Sequence, residues 1–566
     1  MNNSISQYLL ALFASINFLD LGAYFLVSLK LLTVFVCTVF LISGLDDLFI
    51  DLCYVLRSLY RAVFIKPRFQ PLSERDLLDR PEQPIAVMLP AWDESAVIRP
   101  MLENAVRQLN YQNCHIFVGT YPNDPDTQRE VEIVREQYGN VHRIVTPHDG
   151  PTNKADCLNW IYQGIKVFAK ESGIRFEIFV MQDCEDVIHP LCYKLFNYLI
   201  PRKDMVQLPV HSLKRKWYEF TGGHYMDEFS QLHFKDLIVR EFLNRSVPAA
   251  GVGCAFSRRA LETVAERNNN QVFSIDSLTE DYDFGFRLKE YGLKQVFVNF
   301  SVLRTVWKTG RFTRKPRPRK IRELVCIREY FPGNFTASVR QKSRWVVGIA
   351  FQGWAHLGWR GGFWTKYMLY RDRKAIMTNL VNLLGYLVVL GVLGVWTIQW
   401  LDPQGYRYPP LIEKDSTLWY AVLINAGLLV ERVLFRMFCV QRLHGWQQAF
   451  LSIPRMVWGN VINFAATCRA ISLYVRYLQT GKLIKWDKTA HVFPSEAELS
   501  AHGRRLGDLL LNQRLVTVNQ LEQALALQQQ KHRLLGEILI EMRVITEEQV
   551  AGILTHIIHD ERNYAA

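Results

Sequence analysis

The sequence predicts an α/β fold: a parallel sheet with helices on both faces, tied to membrane-spanning helices and followed by a small all-α module. Three observations carry this. Between residues 66 and 366 short apolar runs alternate with amphipathic stretches, the pattern of alternating strands and helices. Long apolar stretches flank that region, and an internal repeat closes the chain. At 566 residues the chain exceeds one ordinary domain. It divides into an N-terminal membrane segment (1–65), the α/β domain (66–366), membrane and interfacial helices (367–484) and the C-terminal module (500–566).

Residues 31–50, 376–401 and 418–440 are each apolar enough, and long enough, to cross a hydrocarbon core of roughly 30 Å. The third does so despite Glu431, Arg432 and Arg436 near its end. Residues 5–29 read as a further span or an interfacial helix, because Asn17 and Asp20 interrupt the run and Lys30 leaves no loop before the next span. No basic residue precedes that run and no small-residue site follows it, so a cleaved signal peptide is not expected. Residues 447–479 are expected to form a pair of interfacial helices, since Pro454, Arg455, Asn460, Asn463, Arg469 and Arg476 would be costly in lipid.

The net charge of +13 is concentrated at Arg57, Arg61, Lys66 and Arg68 and in a proline-punctuated basic loop over 308–322. The positive-inside rule then puts residues 66–366 in the cytoplasm, and two later spans return the tail there. Anionic lipid headgroups account for the basic excess without nucleic acid. The ten cysteines form no CxxC pair and no metal spacing, which fits reduced thiols.

Within the α/β domain, Ile85–Leu89 and Cys114–Gly119 are the first predicted strands, with a helix over 96–109 between them. Ile144–Val145, Phe176–Met181 and Met205–Leu208 continue the series. Parallel sheets bind ligands at the carboxyl ends of their strands, and the informative residues fall there. Pro90-Ala-Trp-Asp-Glu94 follows the first strand, with helix capping as the competing reading. Tyr121-Pro-Asn-Asp124 follows the second, placing a ring and a carboxylate where a base could stack, though it also reads as an ordinary turn. Asn153 to Asn159 opens a helix with an anion-binding Lys154 and the carboxylate of Asp156. Asp183 and Glu185, two apart at a strand end, share a face and could hold Mg²⁺ or Mn²⁺; a solvated acidic loop is the alternative.

Thr279-Glu280-Asp281 precedes a helix. Thr279 either caps it or begins a turn that aims Asp281 into the cleft as a general base. Gln341, Arg344 and Trp345 offer an amide, a planar fork for a diphosphate and an indole for an apolar sugar face. Trp354, Trp359 and Trp364 nearby keep an interfacial aromatic belt in play. Together these groups supply the metal ligands, base and diphosphate clamp needed to move a sugar from a nucleotide.

The order and separation of these motifs resemble the membrane-bound processive family-2 glycosyltransferases, the group of cellulose, chitin and hyaluronan synthases, over residues 31–480. The resemblance implies a GT-A type domain, Rossmann-like in its parallel sheet. In it Asp156 is the first aspartate, Asp183 and Glu185 the metal pair, and Asp281, beside Glu280, the base of a Thr-Glu-Asp motif. Gln341, Arg344 and Trp345 form the Gln-x-x-Arg-Trp motif, and Pro90, Glu94, Tyr121, Asp124 and Lys154 complete the donor site. It further implies inverting transfer from a UDP-sugar, with UDP-N-acetylhexosamine among the candidate donors, to a polysaccharide acceptor. In that setting Gly251-Val-Gly-Cys254 would let backbone approach the acceptor, or is simply a structural turn. Two departures stand out: the metal motif reads Asp-Cys-Glu, and Asn123-Asp124 replaces a pair of aspartates. The visible spans are also fewer than in cellulose synthases.

The tail carries the repeat. Arg505-Leu-Gly-Asp-Leu-Leu-Leu, with Val516, Leu521 and Leu525, recurs 29 residues on as Leu534-Leu-Gly-Glu-Ile-Leu-Ile, with Ile545, Val550 and Leu554. Two copies of one helix-turn-helix unit that pack together are predicted. The residues resemble the cyclic-di-GMP-binding MshEN module, and the resemblance implies a ligand site of Arg505, Leu506, Gly507, Leu510, Leu515, Leu521, Leu525, Gln528, Leu535 and Gly536. Leu534 stands where the second copy would repeat Arg505.

A family-2 transferase paired with such a module resembles the NfrB-type phage-adsorption proteins over the whole chain. The reading is a multi-pass bacterial inner-membrane glycosyltransferase that polymerises a sugar and is activated by cyclic di-GMP. An outer-membrane export partner and self-association are left open. The rival is a noncatalytic receptor or export scaffold on the same fold. The lack of a G-x-x-x-x-G-K-[ST] loop in this sequence argues against a secretion ATPase.

Overall fold

Ile85–Pro90 is buried at every position and forms strand β1, an interior strand of the main sheet. The other strands are β2 (Cys114–Thr120), β3 (Val141–Val145), β4 (Ile178–Met181), β5 (Val187–Ile188), β6 (Met205–Gln207), β7 (Val210–Ser212), β8 (Cys254–Ser257), β9 (Gln295–Phe297), β10 (Ser301–Thr309), β11 (Pro316–Leu324) and β12 (Ile327–Glu329). The computed structural model describes residues 18–309, 316–405, 407–481, 491–495, 499, 510, 515–531, 535–550 and 552. These belong to two compact units, Met1–Asn299 with Cys326–His491, and Phe300–Val325 with Val492–Ala566.

In the first unit seven strands run in the order β3-β2-β1-β4-β8-β6-β9, and β5-β12-β7 form a smaller sheet. The expected all-parallel sheet is corrected to a mixed one: β8 lies antiparallel to both β4 and β6. The reversal has a positional consequence. Cys254, the first residue of β8, pairs with Met181 and Gln207, the last residues of β4 and β6, so the Gly251–Gly253 turn reaches the same edge as the other motifs. A core of Met88, Phe117, Ile161, Phe179, Phe256 and Phe284 fills the space under this edge.

The helices that carry function are α1 (Phe18–Tyr60), α2 (Ile98–Gln108), α3 (Pro125–Gln137), α4 (Lys154–Ser172), α5 (Phe220–Gln231), α6 (Glu280–Glu290), α7 (Phe335–Trp345), α8 (Phe363–Leu401), α9 (Thr417–His444), α10 (Trp446–Thr480), α11 (Val518–Lys531) and α12 (Leu535–Glu541). Side chains of Asp124, Asn153 and Asn334 cap α3, α4 and α7, each accepting from an orphan backbone N–H of the first turn.

Among the described residues three helices are long and apolar enough to cross a membrane: the one through α1, and α8 and α9. Residues 18–29, read as part of a separate segment, continue without a break into the first span, so α1 is one rod of 43 residues, roughly 65 Å at 1.5 Å per residue. Asp46 and Asp47 on α1 receive Arg371 and Lys374 of α8, with Arg371 Nη1 2.5 Å from Asp46 and Lys374 Nζ 2.9 Å from Asp47.

A second correction concerns residues 447–479. They form one helix, α10, that runs through Pro454 rather than an interfacial pair. Arg455, Asn463 and Arg469 find partners in the protein, whereas Arg476 is exposed. Arg455 is fully buried and donates to both oxygens of Asp227 on α5 at 2.9 and 2.8 Å. Asn463 donates to Glu228, and Arg469 donates to Ser343 on α7.

In the second unit β10 and β11 pair antiparallel, with Lys308 opposite Arg317, so the basic loop of 308–322 is largely strand; residues 310–315 lie outside the described residues. The repeat closes on itself as expected. Val516 and Leu521 of the first copy and Ile545 and Val550 of the second share one buried core with Leu510, Ala524, Ile538 and Leu539. The caps repeat too: Thr517 N–H donates to Gln520 Oε1 at 2.8 Å, and Thr546 N–H to Gln549 Oε1 at 2.9 Å.

Candidate functional site

The carboxyl edge of the main sheet opens on a cavity of about 1320 Å³, lined by Pro90, Glu94, Lys154, Asp183, Glu185, Glu280, Asp281, Gln341, Arg344 and Trp345 among others. Ten of the predicted site residues therefore share one space, although they come from strand ends and helix starts up to 255 positions apart. The cavity continues between the membrane helices, where Thr33, Asn379, Asn382 and Asn425 line it.

After β4 the chain turns sharply, because Asp183 N–H donates to Asp186 Oδ2 at 2.9 Å. The turn leaves the Asp183 carboxylate facing Lys154, whose Nζ is 2.6 Å from Oδ1 and 3.4 Å from the Gly251 carbonyl oxygen. Burial works against the lysine's charge, but Asp183, Glu280 and Asp281 outweigh it and hold its pKa above the usual range. Glu185 is buried, with one oxygen 3.2 Å from His491 Nε2 and Oε2 buried without a partner among the described residues. Burial pushes the Glu185 pKa up to about 7.

At the start of α6, Thr279 makes no side-chain capping bond, which removes the capping reading of this motif. Asp281 Oδ1 accepts its neighbour's N–H at 2.8 Å. Burial raises Asp281 to about 6 and Glu280 to about 8, the latter also through repulsion from Asp281. Two adjacent carboxyls with separated affinities for a proton suit an acid-base role. Across the cavity Gln341 Oε1 is buried with no partner among the described residues. Trp345 is held edge-on by Tyr225 at 6.0 Å, and Lys342, buried behind them, ties α7 to His224 at 3.0 Å and Asn463 at 2.8 Å.

Other predicted residues serve the fold. Tyr121 is fully buried and its hydroxyl lies 2.8 Å from Thr152, so its ring offers no open face for a base. Asp124 spends one oxygen on Asp93 N–H at 2.6 Å and the other on Thr127 N–H at 3.3 Å. Asp156 pairs with His148 at 3.3 Å, and neither Tyr121, Asp124 nor Asp156 lines the cavity. In the C-terminal module Leu510, Leu521 and Gly536 are buried, and Leu515 and Leu535 pack against the same core. Arg505, Leu506 and Gly507, and the side chains of Leu525 and Gln528, lie outside the described residues.

Sequence reasoning missed two residues. Glu329 of β12 lines the cavity, its pKa raised by burial and by Asp186, Glu185 and Asp183. His491 follows α10 and belongs to no motif. Its Nδ1 is 2.9 Å from Glu94 Oε1. Burial opposes its charge, but Glu185 and Glu94 prevail and raise its pKa.

The donor set fits a divalent cation. No group of three or more ligating side chains is assembled among the described residues. Asp183 and Glu185, the latter with Oε2 unpartnered among the described residues, present hard oxygen atoms of the kind such an ion takes.

Residues 178–399 match the family described as Glycosyl transferase family group 2. Over 538 residues the chain is 41% identical to Bacteriophage adsorption protein B of Escherichia coli (strain K12), a match covering 95% of this chain and 72% of that one. The chain belongs to the bacteriophage adsorption protein B family. Bacteriophage N4 adsorption protein B of Escherichia coli O157:H7 matches to the same extent. In this member of the adsorption protein B family the family-2 glycosyltransferase match runs from β4 through most of α8. Among solved structures, a mannosyltransferase from Pyrobaculum calidifontis in complex with GDP-Man and Mn²⁺ aligns with 76% of this chain and 99% of its own, at 13% identity and a TM-score of 0.41.

Proposed function

We propose that this protein transfers a sugar from a UDP-sugar to a growing polysaccharide with inversion at the anomeric carbon, and that cyclic di-GMP activates it through the C-terminal module. The observation that carries the reading is the convergence of Asp183, Glu185, Glu280, Asp281, Gln341, Arg344 and Trp345 on one cavity that continues among the membrane helices. Asp281 takes the acceptor hydroxyl proton as that oxygen attacks the anomeric carbon. Arg344 faces the departing diphosphate, and Trp345 carries the apolar face of the acceptor sugar. Asp183 and Glu185 would hold Mg²⁺ or Mn²⁺, which when bound neutralises charge building on the leaving group. Lys154 keeps Asp183 oriented and supplies a second positive charge at the same edge. The amides of Asn379, Asn382 and Asn425 offer hydroxyl-binding groups along the cavity's continuation, which suits a glycan acceptor in an inner-membrane enzyme.

The relatives' name favours a second reading, a membrane scaffold for phage adsorption that keeps the transferase fold without chemistry. One experiment separates the two: UDP release by the purified protein in lipid nanodiscs, with Mn²⁺, against a panel of UDP-sugars, with and without cyclic di-GMP. Release with one donor, increased by cyclic di-GMP, supports the enzyme. No release from any donor by folded protein supports the scaffold.

A further inference from the structure

The Thr279-Glu280-Asp281 segment is gripped on both sides by the stretch of chain that leads from Trp345 into the membrane. Ahead of the segment stands Gln352, buried at the end of the π-helical turn Val346–Gln352. Its Oε1 accepts Leu278 N–H at 2.9 Å and its Nε2 donates to the Asp276 carbonyl oxygen at 3.1 Å. Gly348 of the same turn lies flush against Thr279, where a Cβ would collide with the threonine side chain. Behind the segment the hydroxyl of Tyr282, the residue after Asp281, donates to Asp372 Oδ2. Burial, and then the Asp372 charge, hold the Tyr282 pKa above the usual range, so the hydroxyl keeps the proton it donates. Asp372 belongs to α8, four residues before the apolar run 376–401. Arg240, in the helix Leu237–Asn244, fixes it with two parallel bonds of 2.7 and 2.8 Å.

These bonds do what a helix cap would otherwise do. The first turn of α6 has no capping side chain, since Thr279 makes no such bond, and a turn so placed is fixed only by what packs on it. Tyr282 is the joint. Its N–H donates to Asp281 Oδ1 at 2.8 Å, and its hydroxyl reaches the membrane helix, so one residue refers the carboxylate to α8. A strut between α8 and the α/β domain needs only the Arg240–Asp372 pair; the third bond, from Tyr282, carries that strut to Asp281. We propose that Asp372, acting through Tyr282, and Gln352 are positioning residues that set where the base stands, so that the membrane helix is the reference frame of the transfer step. This rests on reading Asp281 as the base. Its consequence is that a displacement of α8 in the bilayer is felt at the acceptor hydroxyl before it is felt by the donor.

The test is steady-state UDP release by the full-length protein in nanodiscs with Mn²⁺ and the UDP-sugar that supports wild-type release, with kcat and the donor KM measured separately. Tyr282→Phe keeps the ring and leaves Asp372 bonded to Arg240, so the strut survives and only its link to the base is cut. Its kcat should fall about tenfold with the donor KM within about twofold, because a reacting group misplaced by a fraction of an ångström loses part of the roughly hundredfold that 1 Å costs. Gln352→Glu is the second variant. It keeps an acceptor for Leu278 N–H but turns an oxygen towards the Asp276 carbonyl, and the same split is expected. Wild-type kcat in either variant, or a raised KM with kcat unchanged, overturns the positioning role of that residue; if Asp281→Asn is inactive beside it, the base reading stands. Wild-type kcat in Asp281→Asn, or no release from any UDP-sugar by the folded wild type, overturns the base reading and this proposal together.

Discussion

Gly251 offers a perturbation whose size can be worked out. Its φ is +74°, a conformation in which a Cβ carries a penalty of roughly 1–2 kcal/mol. A Cβ there would also lie 2.8 Å from Asp281 Oδ2 and 3.2 Å from Lys154 Nζ, whereas ordinary contact begins at 3.4 Å. The carboxylate oxygen must therefore retreat by about 0.6 Å, and a misplacement near 1 Å in a reacting group costs on the order of a hundredfold. Gly251→Ala should lose about tenfold or more in turnover. Gly173, at the end of α4, has φ +72° and nothing within 4 Å of its Cβ position, so Gly173→Ala carries the same backbone strain without the collision. The assay is UDP release beside thermal melting for both variants. Similar melting shifts with activity lost only at position 251 are expected. If Gly251→Ala keeps the turnover of Gly173→Ala, the placement of Asp281 against this turn has no catalytic weight.

Asp281→Asn should abolish transfer while leaving UDP affinity within a few fold, and wild-type turnover should fall as pH drops through about 6, because the base works only when deprotonated and burial has raised its pKa to that value; a flat profile from pH 5 to 8 would count against it. Arg455→Ala leaves Asp227 buried without its cation and should destabilise the protein by about 3–5 kcal/mol, with partial recovery in the double variant carrying Asp227→Asn, measured by thermal unfolding in nanodiscs. Arg505→Ala in the full chain should weaken cyclic di-GMP binding about tenfold by calorimetry, through loss of a charged contact of roughly 1.5–3 kcal/mol, and leave turnover without cyclic di-GMP unchanged.

What the sequence disclosed depended on how far each residue's partner lay. Asp183 and Glu185 line the cavity, but not through the strand alternation expected of a two-residue spacing: β4 ends at Met181, and the turn closed by Asp183 N–H on Asp186 presents both carboxylates. Asp281 was placed by a local signal, the start of an amphipathic helix over Glu280–Glu290. Tyr121 and Asp124 stayed ambiguous because a turn after a strand reads alike whether its side chains face a ligand or the fold; Asp93 N–H, 31 residues away, and Thr127 N–H both engage Asp124. Residues 447–479 looked interfacial because hydropathy charges Arg455 for entering lipid, and its partner Asp227 lies 228 residues upstream. β8 was missed as an antiparallel strand because its direction is set by the Gly251–Gly253 turn, whose two glycines adopt positive φ, and not by its own four residues. His491 had no local signal at all.

The Asp227–Arg455 pair also sets an order of events during synthesis. A ribosome adding about 5–20 residues per second reaches position 455 some 10–45 s after position 227, and for that interval the aspartate lacks the guanidinium that donates to both of its oxygens. The α/β domain therefore gains this strut only when α10, the helix after α9, has been made. A chain released early, even one with every catalytic motif already made, holds an unanswered carboxylate under α5, and is marked as unfinished by its own electrostatics.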